Sequence, residues 1–128
     1  MRVLKARTFA RWARREGLTD TALRTAVDEM RRGLVDAVLG GGLVKKRIAR
    51  SGGGKSGGYR TLLAADLRDR WIFLCGFAKS ERDNVEDDEL DTARDIAKGW
   101  LDAGPQRLAQ ALAQGVIEEV DYEDKEEN

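Results

Sequence analysis

The chain has 128 residues, 41% of them hydrophobic and 36% charged, which allows one domain around one modest core and excludes two. No apolar run approaches the ~20 residues of a membrane helix. The N-terminal MRVLKARTFARWARR lacks the apolar stretch and cleavage site of a secretory signal, and the single Cys75 excludes an intramolecular disulfide, so a reducing, cytoplasmic setting is expected. The formal net charge of zero conceals a division. Residues 1–60 carry 15 Lys+Arg against 5 Asp+Glu, whereas residues 61–128 carry 8 against 18. The basic half suits a polyanionic partner. Residues 117–128, with 7 acidic side chains and one lysine, read as a solvated, disordered end. Competition with the polyanion for the basic surface is the functional alternative for that end.

Val3 and Leu4 are expected to open the fold as a short edge strand. Residues 8–16 read as a helix with Phe9, Trp12 and Ala13 on one face, ended by Gly17. Thr19 is placed to N-cap a second helix, with Asp20 in its first turn and Leu18 and Leu23 as a hydrophobic staple. Leu23, Ala26, Val27 and Met30 form its apolar stripe, which predicts a helix hairpin packed on a sheet. A short apolar run over residues 34–39 is broken by Gly40, Gly41 and Gly42. LVKKRIA then alternates, with Leu43, Lys45, Arg47 and Ala49 on one face and Val44, Lys46 and Ile48 on the other. The loop RSGGGKSGG and the strand candidate YRTLLAA follow. A charged turn leads into RWIFLCGFA, whose apolar neighbours predict a buried Cys75. Three strands so connected make an antiparallel meander. Helical spacing returns at Leu90, Ala93, Ile96, Ala97, Trp100 and Leu101. Gly104-Pro105 ends that helix and starts another, whose weak stripe of Leu108, Ala111 and Leu112 is a candidate exposed partner surface. The expected class is α+β: a helix hairpin on an antiparallel meander, followed by C-terminal helices.

GGGKSGG resembles a phosphate-binding loop of the Walker type, but Ala49 stands where that pattern needs its first glycine. The loop also joins two strand candidates rather than a strand to a helix. Nucleotide binding is therefore not expected, and the loop is read as a connection that carries Arg50 and Lys55 toward a phosphate backbone. Lys46 is counted with them as an RNA contact. The informative feature is the meander's cations. Lys45 and Arg47 share a face of the first strand, Arg60 lies early in the second, and Lys79 and Arg82 follow the third. An ordinary solvated sheet face is the bland reading. RNA cleavage by the ribose 2′-OH needs that hydroxyl deprotonated, the phosphorane charge stabilised and the 5′-oxygen protonated. The chain has no histidine for the proton steps. A lysine crowded by arginines can serve as base, whereas arginine is confined to charge stabilisation. No metal or cofactor is indicated, since EDDELD reads as a helix start that complements the dipole.

LGGGLVKKRIARSGGGKSGGYRTLL and IFLCGFAKSERDN resemble the RelE/HigB-type toxins of bacterial toxin–antitoxin modules, in the branch with GKSGGYR and GFAKSERDN signatures. The resemblance covers residues 1–103 as a toxin domain and leaves 104–128 as a C-terminal helix and acidic tail. It implies a microbial-RNase-like sheet flanked by helices and a metal-independent endoribonuclease that cuts mRNA in the ribosomal A site. It also implies a cognate antitoxin, a helix-turn-helix DNA-binding protein, that covers the basic face or displaces the C-terminal helix. Carried over by motif, Lys45 and Arg47 are base and phosphate binder, and Arg60 stabilises the transition state. Ser80 and Glu86 depart from the best-known RelE enzymes, which carry a basic residue and a tyrosine there. That leaves Lys79 or Arg82 to supply the missing cation and leaves the general acid open. Two other readings stand beside this one: a ParE-like toxin that binds DNA gyrase without catalysis, and an inactive RNA- or ribosome-binding module.

Overall fold

A computed structural model describes residues 1–50, 57–66, 69–82 and 84–121. Among them the chain forms β1 (Arg2–Ala6), α1 (Arg7–Glu16), α2 (Asp20–Arg31), β2 (Ala37–Gly40) and β3 (Leu43–Ile48). It continues with β4 (Tyr59–Ala65), β5 (Arg70–Ala78), α3 (Asp87–Asp102), α4 (Pro105–Ala113) and β6 (Ile117–Glu119). The local signals act as their chemistry requires. Gly17 ends α1 in the left-handed region at φ 74°, and Leu18 N–H returns to the Ala13 carbonyl at 2.8 Å. Thr19 Oγ1 accepts from Ala22 N at 3.2 Å, which caps α2. Gly40, Gly41 and Gly42 all take positive φ at the β2–β3 turn, a sequence of conformations only glycine adopts cheaply.

The six strands lie in the order β2-β3-β4-β5-β1-β6. The meander β2 to β5 is antiparallel, β1 runs parallel to β5, and β6 runs antiparallel to β1. Alternation along the strands sends side chains to two cores. On one face α1 and α2 bury Phe9, Ala13, Leu18, Leu23, Val27 and Met30 against Val3, Ile48, Tyr59, Leu63 and Phe73. On the other, α3 and α4 bury Ala93, Ala97, Leu101, Leu108 and Ala111 against Leu4, Leu43, Leu62, Ala64 and Ile72. Each fully buried Leu, Ile or Phe contributes about 1.5–3 kcal/mol relative to exposure, so the sheet is held from both sides.

Three expectations are corrected. β1 is an interior strand rather than an edge, because Ile117–Glu119 supplies a partner beyond it. Those residues belong to a strand and not to a solvated end: Ile117 and Val120 are buried, and Arg2 pairs with Glu119 at 2.7 Å. The stripe of α4 is core, since Leu108 and Ala111 are buried on the sheet, and Ile96 of α3 is exposed instead.

Both ends of α3 are fixed. At its start Glu86 and Glu89 form a capping box. At its end Arg70 Nη1 donates to the carbonyls of Trp100, Leu101 and Ala103 at 2.9, 3.2 and 2.8 Å. The α3–α4 layer thus covers the Leu43, Leu62 and Ala64 end of its face, while Arg47 beyond it is exposed.

Candidate functional site

In the β3–β4 ladder Arg47 lies directly opposite Arg60, and Lys45 lies opposite Leu62. Directly opposed residues share a face, so Lys45, Arg47 and Arg60 stand on the α3 side of the sheet beyond the edge of its core. They line a cleft of about 270 Å³ together with Asp36 and Asn84. Arg60 forms a nearly enclosed part of the wall at 4% exposure, and Lys45 is half-buried. A cleft lined by two guanidinium groups and an amine has the charge and size that suit a phosphate-sized anion.

Asp36, which precedes β2, orders the cleft. Its carboxylate accepts from the backbone N–H of Arg47 at 2.6 Å and from Arg47 Nε at 3.1 Å. Burial raises its pKa, but the Arg47 hydrogen bonds and the nearby Lys46 and Arg47 charges outweigh that, so the carboxyl lies below its usual 3.8. Asp36 therefore stays ionised and holds Arg47 by its backbone N–H and by Nε, which fixes the guanidinium in the cleft.

The other expected cations are distributed differently. Lys46, expected as an RNA contact, faces the opposite core and is 2% exposed. Its Nζ sits 2.8 Å from Glu29 Oε1 and donates to the Leu34 carbonyl at 2.9 Å, so it is a structural ion pair. Arg50 lies over the Tyr59 ring, 5.3 Å from its centroid, and lines a separate pocket with the α1–α2 turn on the opposite face. That pocket is larger, about 510 Å³, and is lined by Arg15 and Arg50, whereas the cleft gathers Lys45, Arg47 and Arg60. Lys55 lies outside the described residues. Lys79 is exposed one step beyond the Tyr59–Ala78 pair, with its backbone N–H on the Gly58 carbonyl at 3.0 Å, and does not line the cleft.

Arg82 is next to the cleft but not in it. Its Nε donates to the carbonyl of Asn84, a cleft residue, at 3.0 Å. Its Nη1 and Nη2 donate to the two Glu89 oxygens at 3.2 and 2.5 Å. Glu86, matched to a tyrosine of related enzymes, is the N-cap of α3. Tyr59 packs in the α1–α2 core with its hydroxyl donating to the Glu16 carbonyl at 3.1 Å. Cys75, expected to be buried, is exposed in an apolar groove beside Leu74, Ala93 and Ile96. Desolvation first, and the Glu89 charge second, raise its thiol's pKa.

Sequence reasoning missed Asp36, Phe77 and Asn84. Asp36 sits 11 positions from Arg47 and is joined to it only by the β2–β3 hairpin, so no spacing rule finds it. Among the described residues, no group of three or more Cys, Asp and Glu side chains converges in a way that could hold a metal ion. No helix among them is long and apolar enough to cross a membrane.

A family model described as the RelE toxin of the RelE/RelB toxin–antitoxin system matches residues 1–120. The match takes in α4 and β6 as well as the meander. No curated protein matches the chain.

Proposed function

The chain belongs to the RelE toxin family, and from that premise we propose that it is a ribosome-dependent mRNA endonuclease acting through the Lys45–Arg47–Arg60 cleft. As a family member it is the toxin of a toxin–antitoxin system. The observation that carries the finer reading is the direct opposition of Arg47 and Arg60 with Lys45 on the same face. Lys45 takes the proton from the ribose 2′-OH, and the resulting oxygen attacks the adjacent phosphorus. Arg47 and Arg60 stabilise the charge that develops on the phosphorane oxygens, where preorganised donors act most strongly. The 5′-oxygen then leaves with a proton drawn from solvent, to which protonated Lys45 returns the one it took, giving a 2′,3′-cyclic phosphate and a 5′-hydroxyl. The reaction uses only side chains and calls for no metal or cofactor. The substrate is mRNA in the ribosomal A site, the setting is the cytoplasm, and a cognate antitoxin with a helix-turn-helix domain inhibits it.

Primer-extension mapping of an mRNA in a reconstituted translation reaction tests this. Wild type is compared with Lys45→Ala and Arg60→Ala, and with a reaction lacking ribosomes. Cuts that need ribosomes and disappear in both variants support the proposal. Intact mRNA from a protein that still arrests growth would replace it with gyrase binding or non-catalytic ribosome binding.

A further inference from the structure

We propose that Arg82, packed over Phe77, is a shelf on which one unpaired RNA base stacks beside the cleft, making it a specificity-determining residue; this rests on the endonuclease reading above. Position is the first argument. Phe77 is the cross-strand partner of Arg60 in the β4–β5 ladder, and Arg82 is bonded to Asn84 of the cleft wall. A phosphate in the cleft therefore has its neighbouring nucleotide within reach of Arg82.

The second argument is which part of the guanidinium remains available. Arg82 carbon Cζ lies over the Phe77 ring, 5.3 Å from its centroid, so the guanidinium packs against the aromatic ring. In the plane, Nε donates to Asn84 and Nη1 and Nη2 each donate to Glu89, which uses three of the five N–H groups. The Glu89 fork raises the pKa of Arg82, and Arg82 in turn lowers that of Glu89. A phosphate approaching the remaining N–H groups would meet the charge of this carboxylate. The side chain is 38% exposed, so the guanidinium keeps surface that solvent, and a base, can reach. Guanidinium planes and aromatic rings are the surfaces on which proteins stack unpaired RNA bases.

The third argument is rigidity. Glu89 does not swing freely, because it also accepts from the Glu86 N–H at 2.9 Å as the reciprocal half of the α3 capping box. Helix start, carboxylate, guanidinium and ring form one connected set, in place before RNA arrives. Preorganisation of this kind lowers the ordering cost of binding. Arg82 thus contributes a surface for a base, whereas Arg47 and Arg60 contribute charge for a phosphate.

Binding of a seven-nucleotide single-stranded RNA, made uncleavable by 2′-O-methyl groups, tests the shelf. It is compared with seven siblings that each lack one base. For wild type, loss of the base at one position is expected to weaken binding about tenfold, a typical effect for one stacked base. Arg82→Lys keeps the charge and loses the plane, so that position's penalty should vanish while the base-free sibling binds as before. Phe77→Leu should behave likewise, with a thermal melt to establish that it folds. An equal penalty in all three proteins, or no positional penalty in wild type, would overturn the shelf. Wild type that cuts mRNA on ribosomes, with Arg82→Lys cutting at the same positions and with the same preferences, overturns the shelf alone. Wild type that neither binds RNA nor cuts it overturns the endonuclease reading as well.

Discussion

Lys46 Nζ lies 2.8 Å from Glu29 Oε1 while its neighbour Lys45 lines the cleft on the far side of the same strand. One residue of strand register separates a structural lysine from a candidate catalytic one. The side chains of Lys46 and Glu29 are 3% and 20% exposed, so removing either leaves a poorly solvated charge without its main partner. Lys46→Met should therefore cost about 2–4 kcal/mol in urea unfolding, with mRNA cleavage preserved below the melting transition. Lys45→Met should do the reverse. A Lys46→Met protein of wild-type stability would show that the pair with Glu29 contributes nothing.

Asp36 gives the cleft a pH-dependent element. Its folded pKa lies below 3.8 because, against desolvation, Arg47 donates to it from backbone and side chain. A depressed carboxylate pKa contributes stability above the unfolded value, and that contribution is lost as pH falls through the folded value. The stability difference between wild type and Asp36→Asn should accordingly be constant near neutrality and shrink below pH 3.8. At neutral pH the same variant should slow cleavage by on the order of ten- to a hundredfold, because Arg47 loses the contact that aims it. Denaturant titrations from pH 7 to pH 2.5 check the first outcome. A difference that grows toward acid would reverse the sign assigned here.

Much of this was legible in the residues, for physical reasons that also explain what was not. Thr19 capped α2 and Gly17 ended α1 because those signals are local and act within a turn. Strand alternation placed Lys45 and Arg47 together, and the meander brought Arg60 opposite. The interior position of β1 was hidden, since its partners are Arg70–Ala78 and Ile117–Glu119, far along the chain. The acidity of residues 117–119 suggested solvation, yet Glu119 meets Arg2 and Glu118 approaches Arg14. The two oppositely charged halves of the sequence join at this edge. The place of Arg82 depends on Glu89, which composition reads only as one more helix-start carboxylate.

Gly58 in the GYR element is a packing requirement as much as a signature. A Cβ built there would stand 2.3 Å from the Ile48 carbonyl oxygen and 2.9 Å from Arg50 N, both backbone atoms that cannot turn aside. Gly58→Ala must push the end of β3 away from β4, beside the Arg47–Arg60 pair. It should destabilise the protein by about 1–3 kcal/mol, as overpacking does, and lower cleavage more than a surface change of equal destabilisation. Thermal unfolding and single-turnover cleavage of the same preparation measure both. Unchanged melting would mean that the two strands have room the backbone distances deny.

Conservative exchanges separate the roles within the cleft. If Lys45 is the base, Lys45→Arg keeps a cation and removes a group able to give up its proton, since arginine stays charged throughout the working pH range. Cleavage should then fall by about 10²–10⁴, nearly as far as with Lys45→Ala. The task proposed for Arg60 is different, charge stabilisation from its enclosed position opposite Arg47. Arg60→Lys keeps the charge but loses the planar fork, and should retain more activity than Arg60→Ala by roughly tenfold or more. RNA affinity supplies the control: Lys45→Arg should bind as wild type while failing to cut, whereas Arg60→Ala should lose both. Full activity in Lys45→Arg would remove Lys45 from the proton-transfer step and leave it a phosphate contact. The base would then have to be sought in water or on the ribosome, because the remaining cations of the cleft are arginines and Asp36 is committed to Arg47.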